Sequence, residues 1–309
     1  MASADSPVEM RAMRAYSIAM ANPSKRWPEN TTGDFFVDRS CIDCDQCREI
    51  APGTFDDCPG HARVQRQPDS AQLLSRALMA LVTCPVGAIG TKAKHDLNTV
   101  VDNFPEQLDD NVFFCGFASK NSFGASSYLI VRPEGNVLMD SPRFAARLVR
   151  KIEQLGGVRW MFLSHVDDMA DQTKFRRHFQ CERIIHRDEV SSSIQDIEMQ
   201  LAGTDPIRLA SDLLAIPTVG HTLGHMVLHY KNRFLFTGDH LWWSPEKQTL
   251  RASSRYCWYS WKQQIESMER LLDYPFEWVL PGHGHRHHLS AKNMREHLAK
   301  CISWMRQTV

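Results

Sequence analysis

The sequence predicts a two-domain chain, a small α+β unit over residues 34–93 followed by a larger α/β unit over 111–309. Two observations predict this. A ladder of cysteines is confined to the first unit, and three apolar strands of the second each run into a histidine or aspartate at their C-terminal ends. Delivery of polar side chains from several strand ends is how an α/β scaffold gathers a site on one rim of a sheet. At 309 residues the chain is long enough for two separate cores.

The elements follow from local pattern. Phe35-Phe36-Val37 reads as a short strand entering the cysteine loop, and Ser70–Val82 places apolar residues at helical spacing behind an Asp69 or Ser70 N-cap. That helix must stop before Cys84-Pro85, because the residue preceding proline is driven out of the helical region. Residues 94–110 lack strong periodicity and read as a linker. In the larger unit, Ser127–Val131 and Asn136–Met139 flank Pro133-Glu134-Gly135, a hairpin signature. Phe144, Leu148, Ile152 and Leu155 line one helical face that Gly156-Gly157 ends. Trp160–Leu163, Phe234–Phe236 and Trp278–Leu280 are the strands that lead into His165, Asp239 and His283, and Trp258, Trp261, Ile265, Met268 and Leu272 mark a further amphipathic helix.

Hydrophobic residues make up 43% and charged residues 23%, as in ordinary globular proteins, and the formal net charge is +0. This balance gives no electrostatic basis for a nucleic-acid or anionic-membrane partner, and no apolar run approaches the roughly 18 residues that span a bilayer. Of nine cysteines, Cys58, Cys115, Cys181, Cys257 and Cys301 are scattered and odd in number. A disulfide framework belongs to short secreted domains, so a reducing intracellular compartment is expected. Residues 1–33 read as a disordered tail or the remnant of a transit peptide.

Cys41-Ile-Asp-Cys44-Asp-Gln-Cys47, completed by Cys84-Pro85, has the spacing of an iron–sulfur ligand set, in which three thiolates turn toward one cluster and a distant fourth closes the cage. Zinc usually takes two separated Cys-x2-Cys pairs, a scheme with no place for the third cysteine of this ladder. Cys58-Pro59 competes with Cys84 for the fourth position. The Cys41–Cys47 segment and Cys84-Pro-Val-Gly-Ala-Ile89 resemble the opening and closing segments of single-cluster bacterial ferredoxins, over about 60 residues. The resemblance implies one 4Fe–4S cluster held by Cys41, Cys44, Cys47 and Cys84.

Four segments of the larger unit carry ligand-type residues: Ser164-His165-Val-Asp167-Asp168-Met-Ala-Asp171-Gln172, Gly220-His221-Thr-Leu-Gly-His225, Phe236-Thr-Gly-Asp239-His240 and Leu280-Pro-Gly-His283-Gly-His285. Imidazoles and carboxylates on loops after strands suit zinc, iron or manganese. In order and spacing the segments resemble the metallo-β-lactamase superfamily over about 200 residues, which implies an αββα sandwich with metals at one edge. The match implies that His165, Asp167, Asp171, His221, Asp239 and His283 hold metal, with Asp239 bridging and Asp239 and Asp171 closest to the chemistry. His225 is expected to orient the site. Asp168 is expected to be solvated or to support a ligand, and His240, His285, His287 and His288 to lie on the surface or rim.

The first motif departs from the family's His-x-His-x-Asp-His. Asp167 stands for the second histidine, and Gln172 falls where the second site's first histidine belongs. An extra carboxylate shifts preference toward iron or manganese, and Gln172 is expected to weaken the second of one or two metal sites. The whole chain resembles a ferredoxin-fused subgroup of cyanobacteria and plastid-bearing organisms, which implies a cytoplasmic or plastid-stromal location. The resemblance implies a hydrolase in which metal-activated water attacks an ester, thioester or amide. The alternatives are a cluster-fed nonheme-iron oxidoreductase and a non-catalytic redox sensor. The expected partners are a small-molecule substrate and an electron-transfer protein.

Overall fold

The structure is a computed structural model that describes residues 21–308. The tail expected over residues 1–33 lies outside the described residues up to position 20. Residues 21–33 correct that expectation, because they pack into the first domain. The Asn30 side chain accepts from Val37 N and Val64 N and donates to Val37 O, and Trp27 stacks on the buried His61 with ring centroids 4.0 Å apart.

The first domain runs β1 (Phe35–Val37), α1 (Gln46–Ile50), β2 (Phe55–Cys58), β3 (His61–Val64), α2 (Ala71–Thr83) and β4 (Ile89–Thr91). β1 pairs with β4 and β2 with β3, both antiparallel. Ser70 caps α2 by accepting from Leu73 N, and the helix ends at Thr83, with Cys84 before Pro85 turned out of the helical region. The cysteine loop is thereby closed by a helix end on one side and by α1 on the other.

The expected linker is structured. After α3 (Asn98–Val101), β5 (Glu106–Asp109) pairs antiparallel with β6 (Val112–Phe114) and becomes the edge of a sheet. The period-two signal there is too short and too polar to register as a strand. β7 (Tyr128–Ile130) and β8 (Val137–Met139) form the expected hairpin. Then follow α4 (Ala146–Gln154), β9 (Trp160–Phe162), α5 (Gln172–Phe179), β10 (Glu182–His186) and β11 (Met199–Leu201). These strands form a seven-stranded sheet in the order β11-β10-β9-β8-β7-β6-β5.

A second sheet contains β12 (Ile207–Ala210), β13 (Leu213–Pro217), β14 (Met226–Tyr230) and β15 (Phe234–Gly238). After the β16 (Trp242–Ser244) and β17 (Thr249–Arg251) hairpin and α6 (Trp261–Leu271) come β18 (Trp278–Pro281), β19 (His287–His288) and α7 (Ala291–Gln307). The second sheet is six-stranded, β12-β13-β14-β15-β18-β19. Its alternate faces separate cleanly. Leu228, Phe236 and Leu280 join the core shared with the first sheet, while Ile216, Val227, Leu235 and Val279 meet Ile265, Met268, Leu298 and Ile302 of α6 and α7. With α4 and α5 on the far side of the first sheet, the layers are αββα. Trp258, expected on a helix face, lies before α6 and is among the most exposed apolar residues.

Candidate metal centre and cluster pocket

Cys41, Cys44, Cys47 and Cys84 line one cavity with Ile42 and Ala88. Cys58 does not line it. It ends β2, paired with His61, so the cavity brings Cys84, and not Cys58, together with the three cysteines of the ladder. Burial, with the neighbouring thiols adding to it, pushes the thiols of Cys44, Cys47 and Cys84 upward. Four sulfurs lining one cavity become stable thiolates when iron supplies the countercharge, so the donor set fits a cluster. Backbone amides already point at the sulfurs: Ala88 N donates to Cys84 Sγ at 3.2 Å and Ala62 N to Cys41 Sγ at 3.4 Å. No disulfide competes, since all nine cysteines are free.

The second centre lies where β9, β13, β15 and β18 end. β15 and β18 run parallel, and β13 and β14 are antiparallel neighbours, so these ends share one edge of the sandwich. His165 Nε2 lies 3.8 Å from Asp167 Oδ2 and 3.8 Å from Asp239 Oδ2, and His221 Nε2 lies 3.8 Å and 3.9 Å from the same atoms. Both Nε2 atoms are buried without a hydrogen-bond partner. His165 Nδ1 faces Ser164 Oγ at 2.9 Å, and Ser164 in turn donates its N and Oγ to the buried Asp140. This relay, absent from the sequence reading, fixes the ring with Nε2 inward, as the partners of metal-bound histidines do. Burial holds the His165 imidazole down at about 4, so the ring is neutral and free to donate its lone pair.

Asp168, Asp239 and His283 form a second donor group, with atoms within 4.8 Å of one another, and His165, His221 and Asp239 form the first. Asp239 belongs to both. Asp168 corrects the expectation of a solvated residue: it is fully buried, and neither carboxylate oxygen has a partner. Burial, reinforced by Asp239, raises its carboxyl well above the usual range. Asp171, expected as the ligand, is turned elsewhere, with Oδ2 accepting from Phe144 N and Oδ1 paired with Lys174 Nζ. Gln172 also faces away, its Oε1 accepting from the buried Arg183. His283 Nδ1 lies 2.8 Å and 2.9 Å from the two oxygens of Asp239. Gly282 completes the cradle, because a β-carbon there would lie 2.4 Å from Asp168 Oδ2 and 2.9 Å from Asp239 Oδ1. Two carboxylates forced together beside unpartnered imidazoles fit divalent cations.

Residues 37–91 match the 4Fe-4S single cluster domain of ferredoxin I. The DIM-1 metallo-β-lactamase exposed to ceftazidime is similar in structure at 18% identity, with a TM-score of 0.52 over 64% of this chain and 95% of that one. The chain is a fusion of a ferredoxin-type 4Fe–4S domain and a metallo-β-lactamase fold. TMB-1 is similar at 16% identity and a TM-score of 0.51, over 63% of this chain and 96% of its own. No curated protein matches the chain. The fold implied by the sequence resemblance is therefore borne out, and at these identities the likeness extends to the fold alone. No helix among the described residues is long and apolar enough to cross a membrane.

The remaining histidines of the fusion separate by burial. His225 lies beside the site as expected, with Nδ1 2.8 Å from Thr218 Oγ1 and its ring 5.2 Å from that of His165. His240, expected on the rim, is fully buried behind it with neither nitrogen partnered, and burial lowers it to about 3. Its position next to Asp239 in the chain hides this in the sequence. His285 contacts Asp45, His287 stacks on Trp243, and His288 is half-exposed.

Proposed function

We propose that the fusion is a metal-dependent hydrolase acting on an ester, thioester or amide carbonyl. The pair of donor groups that share Asp239 carries this reading. His165, His221, Asp167 and Asp239 would hold one ion, and Asp168, Asp239 and His283 a second. A divalent ion bound there would supply a nucleophilic water with its pKa lowered toward about 7. Ser164 and Asp140 keep His165 in the tautomer that donates from Nε2, and Asp239 ties the two groups to one carboxylate.

The rim suits a substrate whose body is apolar. Phe123, Val166, Leu223 and Trp258 are exposed and lie near ligands: Val166 follows His165, Leu223 is two residues after His221, and the rings of Phe123 and Trp258 have centroids 6.3 Å from that of His283 and 6.2 Å from that of His221. Exposed apolar groups gathered at one place, rather than scattered, mark a binding surface.

A second reading, a cluster-fed nonheme-iron oxidoreductase supplied by an electron-transfer protein, is favoured by the seating of the cluster pocket against this site. A β-carbon on Gly124 would lie 2.8 Å from Cys44 Sγ, and the residue before it is Phe123, whose ring neighbours His283. The carboxylate-rich donor set is also hard enough for iron.

Anaerobic purification with iron, zinc, manganese and sulfide counted per chain separates the two readings. Metal beyond the cluster, with thioester or ester turnover lost on chelation and restored by metal, supports the hydrolase. Extra iron with reductant-dependent oxygen consumption and no hydrolysis supports the oxidoreductase instead. Chains carrying no metal beyond the cluster sink both.

A further inference from the structure

The two donor groups are anchored from different sides. Glu189 clamps the loops of the first: Oε2 accepts from Val166 N at 3.0 Å, next to His165, and Oε1 from Gly224 N at 2.8 Å, in the loop between His221 and His225. The His283 segment is held within its own domain by Gly282 N to Gly238 O and Trp243 N to His285 O. Tyr128 Oη, which donates to Pro281 O at 2.8 Å, and the β18–β19 pairing add to these, and further supports come from the cluster domain. Arg286 N donates to Glu49 Oε1 at 2.8 Å, and His285 Nε2 lies 3.0 Å from Asp45 Oδ2. Gln46 Nε2 donates to Ser126 Oγ at 2.7 Å, while Ser126 N donates to Gly282 O at 2.7 Å.

Gln46 and Glu49 both lie on α1, and Asp45 is its N-cap. A helix of five residues does not persist on its own. Cys44 stands just before α1 and Cys47 within it, so cluster ligation pins the helix at its start. Glu49 and Arg286 are both largely buried where the domains meet, which leaves little room for the contact to form in another register.

We propose that Gln46 and Glu49 are positioning residues for His283, so that the cluster, by fixing α1, sets the metal affinity of the Asp168–Asp239–His283 group. The loops that carry His165 and His221, clamped by Glu189, do not depend on α1. The inference rests on the metal-holding reading of the site and not on hydrolysis.

Mn2+ titration followed by EPR on the anaerobically purified full chain tests it. In a Ser126→Ala/Glu49→Gln variant the second Mn2+ equivalent should weaken about tenfold, the lower range for loss of partners that orient a ligand. The first equivalent and the visible absorption of the cluster should not change, and Ser126→Thr should restore the hydroxyl's share. Unchanged affinity for both equivalents overturns the inference alone. Absence of Mn2+ binding by the wild-type chain overturns the metal reading and this inference together. Should the variant lose its cluster, hydrogen exchange on the wild type decides. Exchange over residues 282–286 should rise about tenfold when the cluster is removed, while 225–236 stays protected, and equal protection with and without the cluster overturns the inference.

Discussion

Asp168 and Asp171 stand three residues apart and carry opposite roles. Asp168 is buried against Asp239 and His283 with both oxygens unpartnered, whereas Asp171 spends its oxygens on Phe144 N and Lys174. Asp168→Asn should therefore remove the second metal equivalent and leave the fold intact or firmer, since it relieves carboxylate crowding. Asp171→Asn should retain both metals and cost about 1 kcal/mol of stability through the weakened bond to Phe144 N. Metal counting and thermal unfolding on the two variants check this, and metal loss from Asp171→Asn with retention in Asp168→Asn would reverse the assignment.

Gly282 provides a steric test of the same cradle. A methyl group there meets Asp168 and Asp239 well inside contact distance, and backbone cannot retreat without moving His283. Gly282→Ala should lower affinity for the second metal by tenfold or more. Mn2+ titration reads the change, and wild-type affinity in the variant would mean the carboxylates are not held as described.

The cluster pocket makes a sharper demand. Cys58→Ser should leave labile sulfide and visible absorption at wild-type levels, because Cys58 lies outside the cavity. Cys84→Ser should lose most of both. Equal loss in the two variants would return Cys58 to the ligand set.

Much of this was legible in the sequence, for physical reasons that differ by element. The Cys41–Cys47 ladder and the strands ending at His165, Asp239 and His283 carry spacing signals that survive without tertiary context. The Asp167–Asp171 stretch does not. Three aspartates within five residues present the same chemistry, and burial beneath Gly282 is what separates Asp168 from Asp171. His240 was hidden likewise, since adjacency to a ligand says nothing about which side of the strand end a ring occupies. The supports of His283 from Gln46 and Glu49 span 237 residues in the case of Glu49 and Arg286, a separation no local pattern records.

Gln172 sits where the family pattern places a histidine ligand, so Gln172→His is the substitution that pattern offers for restoring a site. The geometry predicts otherwise. Its side chain is buried against Arg183, which also binds Glu198, and points away from the metal loops. The substitution should add no metal and should destabilise by about 1–3 kcal/mol, because it disturbs a buried guanidinium's partners. Inductively coupled plasma analysis together with a melting curve checks it; a gain of one metal per chain would refute the orientation.

His229 supplies a pH dependence remote from both centres. It lies buried in β14 with Nε2 2.7 Å from Pro275 O, a geometry in which the neutral ring donates. Burial lowers its ionisation below the ordinary 6.5, against a smaller opposing effect of the Pro275 bond. The unfolded chain thus binds this proton more readily than the folded one. The stability contribution is fully present above about pH 6.5 and is lost as pH falls from there toward the folded value, with a slope of at most about 1.4 kcal/mol per pH unit. Urea unfolding followed by tryptophan fluorescence should show the wild type losing more stability between pH 7.5 and 5.5 than His229→Gln, which keeps a donor for Pro275 but cannot titrate. Identical losses in the two proteins would show that His229 titrates alike in both states.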